Sequence, residues 1–352
     1  MKPYHELTHI GRLRRMRQLA RTAMESYGLA GASFKLQLDA GNTLFRVYAS
    51  NLPLAQTTTE LFEENQYLLR IHDPAYQTPD AIELELTWLA AMRREADLPV
   101  PEPIPRLDGR LLTQATIPGT TNTRDCSLLR WVKGRLISRG AQAHHYRAQG
   151  RLMARMHNFA SQWQIPPGHA KRNYDWDGLF MNDAEIGLPA GESWKLLPQP
   201  WVEPFEIVAR QFRQLTDAWG KGPEVYGLIH ADMGVDANML FWRGEPRLID
   251  FDSSGFGYWM YDLAVALEHC REDPAFPRYR DALLEGYAEH RSLPDAQLAQ
   301  MELFFAAFSV YWDLWAVGGT HVHPEFMGGY RQRIDREAAL VIRYVASHDT
   351  SS

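Results

Sequence analysis

The sequence predicts an α+β fold in two lobes, a small antiparallel-sheet lobe over residues 1–132 and a mainly helical lobe over 133–352. Three observations predict it. Apolar residues alternate along Ser33–Leu38, Thr43–Tyr48 and Gln66–His72, the period of half-buried strands. From His145 onward they recur mostly at three- and four-residue steps, the period of helices packed on a core. Between those helices, Tyr226–Asp250 reads as a hairpin, with strands Met239–Trp242 and Arg247–Ile249 joined by a tight turn, Arg243–Pro246. That hairpin brings Asp232, Asn238 and Asp250 near one another.

Composition narrows the class. The length suits two domains or lobes. The net charge of -6 gives no reason to expect a nucleic-acid partner. Cys126 and Cys270 lie far apart and form no metal-ligand spacing. No apolar run approaches a membrane span and the first residues lack an apolar signal core, so a cytoplasmic location is expected. Oligomeric state is not legible.

The elements follow in order. Residues 6–27 form an amphipathic helix with Leu7, Ile10, Leu13, Met16, Leu19 and Met24 on one face and five arginines from Arg12 to Arg21 elsewhere, a solvated face. Gly28 ends it, and the two strands after it meet at Asp39-Ala40-Gly41-Asn42, a hairpin turn. Ser50–Glu64 reads as an inserted loop before the third strand. Pro79–Ala96 is a helix with Ile82, Leu86, Leu89 and Met92 as its buried stripe. The proline-rich stretch Leu98–Pro105 is an extended connector, and strands at Leu111–Ala115 and Cys126–Val132 complete the first lobe. Helices are expected at His145–Trp163, Trp201–Trp219, Leu263–Cys270, Phe276–His290, Asp295–Val317 and Met327–Ala346. The aromatic and acidic segment Arg172–Phe180 reads as packing, and His157 as a core histidine.

Two carboxylates and an amide on one hairpin suit phosphoryl transfer, where a protein mainly positions groups and neutralises charge. Asp232 is placed to accept the proton of an attacking hydroxyl. Asn238 and Asp250 supply the few hard oxygen ligands that magnesium takes.

The pattern His230-x-Asp232, then Asn238, then Ile249-Asp250-Phe251, followed by Gly257-x-x-x-Tyr261-Asp262-Leu263-Ala264, resembles the aminoglycoside phosphotransferase-like kinases, a branch of the protein-kinase-like fold. That family has four residues between its Asp and Asn. Here there are five, which makes Asp236 an alternative ligand. The resemblance implies a bilobal kinase that uses ATP or GTP with Mg²⁺. Asp232 is then catalytic, with His230 beside it, and Asn238 and Asp250 hold the metal. Gly41 and Asn42 cover the nucleotide, and Arg70 contacts its phosphates where most kinases use lysine. Glu85, rather than Glu83, pairs with Arg70. The hinge Arg130–Gly134, with Arg130 and Trp131, holds the base, and the lobe boundary falls near Lys133–Arg135. Asp262 accepts hydrogen bonds from the catalytic loop. Asp252, Glu268, Trp312 and Asp313 are candidates for the acceptor site, where acidic and aromatic groups suit a cationic amine or a sugar. A small-molecule alcohol of the aminoglycoside, homoserine or choline type is the expected acceptor. Only 11 residues separate Asp250 from Asp262, too few for a long activation segment. A Ser/Thr protein kinase of the stress-response type and a non-catalytic nucleotide-binding scaffold are the alternatives.

Overall fold

The computed structural model describes residues 7–49, 60–117, 120–137, 140–183, 188–322 and 330–348. Helix α1 (His9–Ser26) starts at Thr8, whose hydroxyl accepts from the Gly11 N–H at 3.2 Å. It buries Met16, Leu19, Ala20, Ala23 and Met24 against the sheet lobe, and Arg15 is buried as well, so the arginine face is not wholly solvated. Strands β1 (Ser33–Ala40), β2 (Asn42–Tyr48), β3 (Phe62–Ile71), β4 (Leu112–Thr116) and β5 (Thr123–Val132) form one antiparallel sheet in the order β1-β2-β3-β5-β4.

Strand β3 begins at Phe62, four residues before the expected Gln66. Phe62 pairs with Val132 while Tyr67 pairs with Arg130, so a bulge interrupts the ladder between them, with Asn65 at φ 56°. The bulge breaks the two-residue alternation, which is why the sequence reads this part as loop. Of the expected insertion at Ser50–Glu64, residues 50–59 lie outside the described residues and Phe62–Glu64 are strand.

Helix α2 (Pro79–Ala96) has the expected bounds. Thr78 caps it, Pro79 opens it, Arg93 and Arg94 lie in its last turn, and Asp97 ends it in a left-handed conformation at φ 44°. The sheet ends at Val132. The next strand, β6 (Arg135–Leu136), joins a second sheet, so we propose the lobe boundary between 132 and 133.

Beyond it come α3 (Ala143–Ala160), β7 (Asn173–Tyr174), the short α4 (Ala190–Ser193), α5 (Gln199–Trp219), β8 (Tyr226–Ile229), β9 (Met239–Trp242), β10 (Glu245–Leu248) and β11 (Gly255–Tyr258). The chain continues through α6 (Trp259–Glu268), α7 (Phe276–Ala288), α8 (Asp295–Leu298), α9 (Met301–Val322) and α10 (Arg331–His348). Two small sheets, β10-β9-β6 and β7-β11-β8, lie among these helices. The expected helix Asp295–Val317 is two: α8 has no buried residue, so its apolar pattern does not continue the core face of α9. The aromatic segment packs as expected, Trp176 Nε1 donating to the Ala209 carbonyl at 2.9 Å.

Helices α3 and α7 pack at close range through glycines. A Cβ at Gly150 would lie 2.0 Å from the Leu283 carbonyl oxygen, and one at Gly286 would lie 2.0 Å from that of Arg147. Both obstacles are backbone, so Gly150→Ala is expected to force the helices apart and cost about 1–3 kcal/mol in urea unfolding. An unchanged midpoint would contradict this packing.

Candidate active site

The β9–β10 hairpin turns through Arg243 and Gly244, both at positive φ (54° and 86°), a two-residue turn matched to strand twist. The second strand does not run on to Ile249, its expected end. β10 stops at Leu248, and Asp250 takes φ 64°. This left-handed residue breaks the strand alternation, so Asp250 and Asp252 point separately: Asp250 toward Arg70 and Asp252 toward Asn42.

Asn238 reaches Asp232 despite the longer loop. Its Nδ2 donates to the Asp232 carboxylate at 2.8 Å and to the Asp232 carbonyl at 2.9 Å. The Ile249 N–H donates to the Asn238 carbonyl at 3.0 Å, which keeps Asn238 beside the Asp250 turn. Asp236 faces elsewhere, 3.5 Å from His269 Nε2. The extra residue therefore bulges away from Asn238.

The loop carrying Asp232 is held from beneath. Asp262, fully buried on α6, accepts from the N–H groups of Ala231 at 2.7 Å and His230 at 3.2 Å, and from His157 Nε2 at 3.0 Å. Ala231 adopts φ 63°, rare for a residue with a Cβ. His230 is fully buried, and its Nε2 lies 3.0 Å from the Ile249 carbonyl. It shapes the loop and lines neither of the two cavities beside it. His157, also buried, bridges Asp262 and the Tyr287 hydroxyl at 2.8 Å.

Arg70 is buried in the cleft, its Nη1 on Glu85 Oε1 at 2.9 Å and its Nη2 on Asp250 Oδ1 at 3.4 Å. Glu85 is buried whereas Glu83 is exposed. Asn42 donates to the Asp252 carboxylate at 3.2 Å and accepts from the Asp73 N–H at 3.0 Å. Gly41, at φ 66°, forms the turn above it. Gln77 Nε2 donates to the Asp252 carbonyl at 2.5 Å.

Two cavities flank these loops, one lined by Asp250 and the other by Asp232. The inner one, about 260 Å³, is lined by Leu44, Leu68, Arg70, Glu85, Arg130, Trp131, Val132, Ile249 and Asp250. Arg130 is tied to Glu102 at 2.8 Å, and Arg46 lies over the Trp131 ring at 4.0 Å. The outer one, about 410 Å³, contains Asp232, Asp236, Arg172, Glu268, Arg333 and the rings of Tyr76, Tyr174, Trp312 and Trp315.

The acceptor candidates fare unequally. Trp312 lines the outer cavity, but Arg333 already lies over its ring at 4.2 Å. Glu268 lines it too, held by Arg333 at 3.0 Å and Arg336 at 2.9 Å. Asp252 is outside it, turned to Asn42. Asp313 is a correction. One residue past Trp312, the helical rotation turns it toward α10, where it is fully buried with neither carboxylate oxygen hydrogen-bonded among the described residues. Burial, then the Glu337 carboxylate, pushes its pKa up to about 9, so it stays neutral and offers no charge to a ligand.

Among the described residues no group of three His, Cys, Asp or Glu could hold a metal. The oxygen set Asn238 and Asp250, with Asp252 adjacent, still fits a magnesium that takes most ligands from phosphate and water. Although 40% of its side chain is open, Asp250 is held up to about 7 by loss of water and then by Asp252, with Arg70 opposing. A carboxylate whose pKa is raised by a neighbouring carboxylate gains from a divalent cation beside it.

The sequence reading missed Lys171, Gln77 and Arg333, while Arg172 opens the aromatic segment read as packing. Lys171 is buried among Glu85, Ser254 and the Phe251 carbonyl, and burial lowers its pKa to about 8. No periodic signal marks it, because it precedes a two-residue strand.

His72, His157 and His230 are buried, and burial holds each below the ordinary 6.5. The folded chain thus binds fewer protons than the unfolded one below that value. Stability is full above pH 6.5 and is lost as pH falls toward the folded pKa values, by up to about 1.4 kcal/mol per pH unit for each histidine. Urea midpoints that stay level from pH 7.5 to about 5.5 would contradict this.

Comparison with known proteins agrees with this geometry. Residues 32–300 match the model of the phosphotransferase enzyme family. A homoserine kinase of Sinorhizobium fredii is 28% identical over 215 residues, 59% of this chain and 60% of that protein. The chain thus spans about three fifths of that relative's length. The structure of a microcompartment-associated aminopropanol kinase superposes with a TM-score of 0.75 at 25% identity, covering 94% of this chain and 98% of the other. An amicoumacin kinase, solved in complex with AMP-PNP, Ca²⁺ and Ami, shares the fold with a TM-score of 0.72 at 17% identity over 97% and 95% of the two chains. No helix among the described residues is long and apolar enough to cross a membrane. The protein-kinase-like fold, the matched family and the paired cavities agree: the chain belongs to the phosphotransferase enzyme family, as a kinase of hydroxyl groups.

Proposed function

We propose that the chain transfers the γ-phosphoryl group of ATP or GTP, with Mg²⁺, to a hydroxyl of a small amine-bearing molecule. The observation that carries this reading is the Asp232–Asn238 contact at 2.8 Å, with Asp232 lining the outer cavity and Asp250 the inner one. Asp232 faces the outer cavity, where it orients an acceptor hydroxyl and takes its proton. Arg70, fixed by Glu85, steadies the phosphates from the inner cavity, with the base against the Arg130–Gly134 segment and Gly41 and Asn42 above. Asn238 and Asp250 would hold the metal, which when bound neutralises phosphate charge. The outer cavity mixes acids, arginines and aromatic rings, which suits an amino alcohol or hydroxy amino acid. The named relatives, a homoserine kinase and an aminopropanol kinase, are consistent with that class.

Labelled ATP and GTP, offered with homoserine, aminopropanol, choline, aminoglycosides and protein substrates, test the reading. Transfer is expected to a small amino alcohol or hydroxy amino acid, and to stop with EDTA. Asp250→Asn is expected to abolish turnover and metal-dependent nucleotide binding while the chain stays folded, because asparagine tolerates φ 64°. Turnover in EDTA, or full activity of Asp250→Asn, would contradict the metal assignment. Nucleotide binding without transfer to any acceptor would favour a scaffold.

A further inference from the structure

Lys171 has no role in the reaction as assigned above, yet its side chain is only 2% exposed. We propose that Lys171 is a positioning residue that ties helix α2 to the turn after Asp250, so that closing the lobes sets Asp250 for the metal. The inference rests on the kinase reading.

The two oxygens of Glu85 are divided between cations from different lobes. Oε1 takes Arg70 from β3 at 2.9 Å, and Oε2 faces Lys171 Nζ at 3.8 Å. The second contact is too long for a hydrogen bond and acts through charge, and Oε2 has no hydrogen bond among the described residues. Lys171 Nζ donates instead to Ser254 Oγ at 2.5 Å and to the Phe251 carbonyl at 3.3 Å. The Ser254 N–H also donates to the Phe251 carbonyl at 3.0 Å, closing the turn that follows Asp250.

Lys171 is itself anchored in the helical lobe. The Phe256 N–H donates to the Arg172 carbonyl at 2.9 Å, and β7 pairs with β11 immediately after. A fixed ammonium therefore meets both an α2 carboxylate and the Phe251–Ser254 backbone. Withdrawing α2 would leave a buried ammonium without its nearest counter-charge, an arrangement proteins avoid. Arg70 makes the reciprocal link, from β3 to Asp250. Lys171 does not line the inner cavity, and Arg70 holds Glu85 through the other oxygen, Oε1, so the expected effect on nucleotide passes through the turn after Asp250.

Calorimetry with AMP-PNP, with and without Mg²⁺, tests this on Lys171→Met, Lys171→Arg and Ser254→Ala. In Lys171→Met, nucleotide alone is expected to bind as in the parent, while the gain in affinity from Mg²⁺ falls by about tenfold, a usual size for coupling between sites. Lys171→Arg restores most of the gain. Ser254→Ala loses part of it, and it carries the test if the methionine variant does not fold. In the metal-free protein, hydrogen exchange at the Ser254 amide is expected to quicken in Lys171→Met. An undiminished Mg²⁺ gain in Lys171→Met overturns the inference. So does an equal loss of nucleotide affinity with and without metal alongside a lower Tm, which would mark a merely structural lysine. A parent protein showing no Mg²⁺ gain at all would instead sink the kinase reading.

Discussion

Asp232→Asn is expected to lower kcat by about 10²–10⁴-fold, the usual contribution of a positioned general base, with nucleotide affinity unchanged. The substitution keeps the shape of the side chain. Asparagine still offers an oxygen to Asn238 Nδ2, which now sits 2.8 Å from the carboxylate, so the loop has no reason to move. What it loses is the charge that accepts a proton. Asp232 lines the outer cavity and not the inner one, so nucleotide binding does not report on it. Steady-state phosphotransfer and calorimetry on the same preparation separate the two effects. A variant within threefold or so of the parent kcat would show that the hydroxyl needs no base there, and would leave Asp232 a merely orienting role. Parallel loss of nucleotide affinity would show that the loop itself had collapsed.

The parts of this site legible in the sequence are those whose chemistry is local. Asp232, Asn238 and Asp250 lie within one hairpin, where spacing and turn residues restrict where side chains go. The Arg70–Glu85 pair joins a strand to the next helix, and the helical stripe of α2 points Glu85 inward while Glu83 faces solvent. Sequence reasoning fails where the outcome depends on packing between distant segments. The bulge around Asn65 hid the start of β3, because it puts three more residues on β3 than on β5, and an odd excess inverts the alternation that marks a strand. Asp313 and Trp312 are neighbours on one apolar helix, and only the placement of α10 decides which of them meets the cavity. Arg333 takes the ring face where an acceptor cation was expected, and it comes from the following helix, whose placement against α9 the sequence does not give. Lys171 contacts residues about 80 positions away on either side, and neither composition nor period reveals that.

The second large effect concerns stability, and it comes from Asp262. Asp262→Ala is expected to destabilise the fold by about 3–5 kcal/mol, the summed cost of leaving several buried donors without their acceptor. Burial alone opposes ionisation here, yet the His157 hydrogen bond and the nearby histidines and Ala231 N–H bring the carboxylate below its ordinary pKa. Its stabilising contribution is therefore complete at neutral pH and is lost only as pH falls through the lowered folded value, so the comparison belongs at pH 7. Alanine leaves two backbone N–H groups and a histidine ring without their acceptor, each a buried polar group costing about 1–3 kcal/mol. One of those N–H groups belongs to Ala231, whose φ of 63° is uncomfortable for a residue with a Cβ and persists because Asp262 grips it. Once released, Ala231 relaxes and turns Asp232 away from the outer cavity, so kcat falls together with stability. Asp262→Asn keeps the shape but sets an amide N–H₂ against groups that are all donors, and it is expected to recover only part of the loss. Urea unfolding of both variants decides the point. A midpoint for Asp262→Ala close to the parent value would mean that the loop carries its own conformation, and the placement of Asp232 would then need another support.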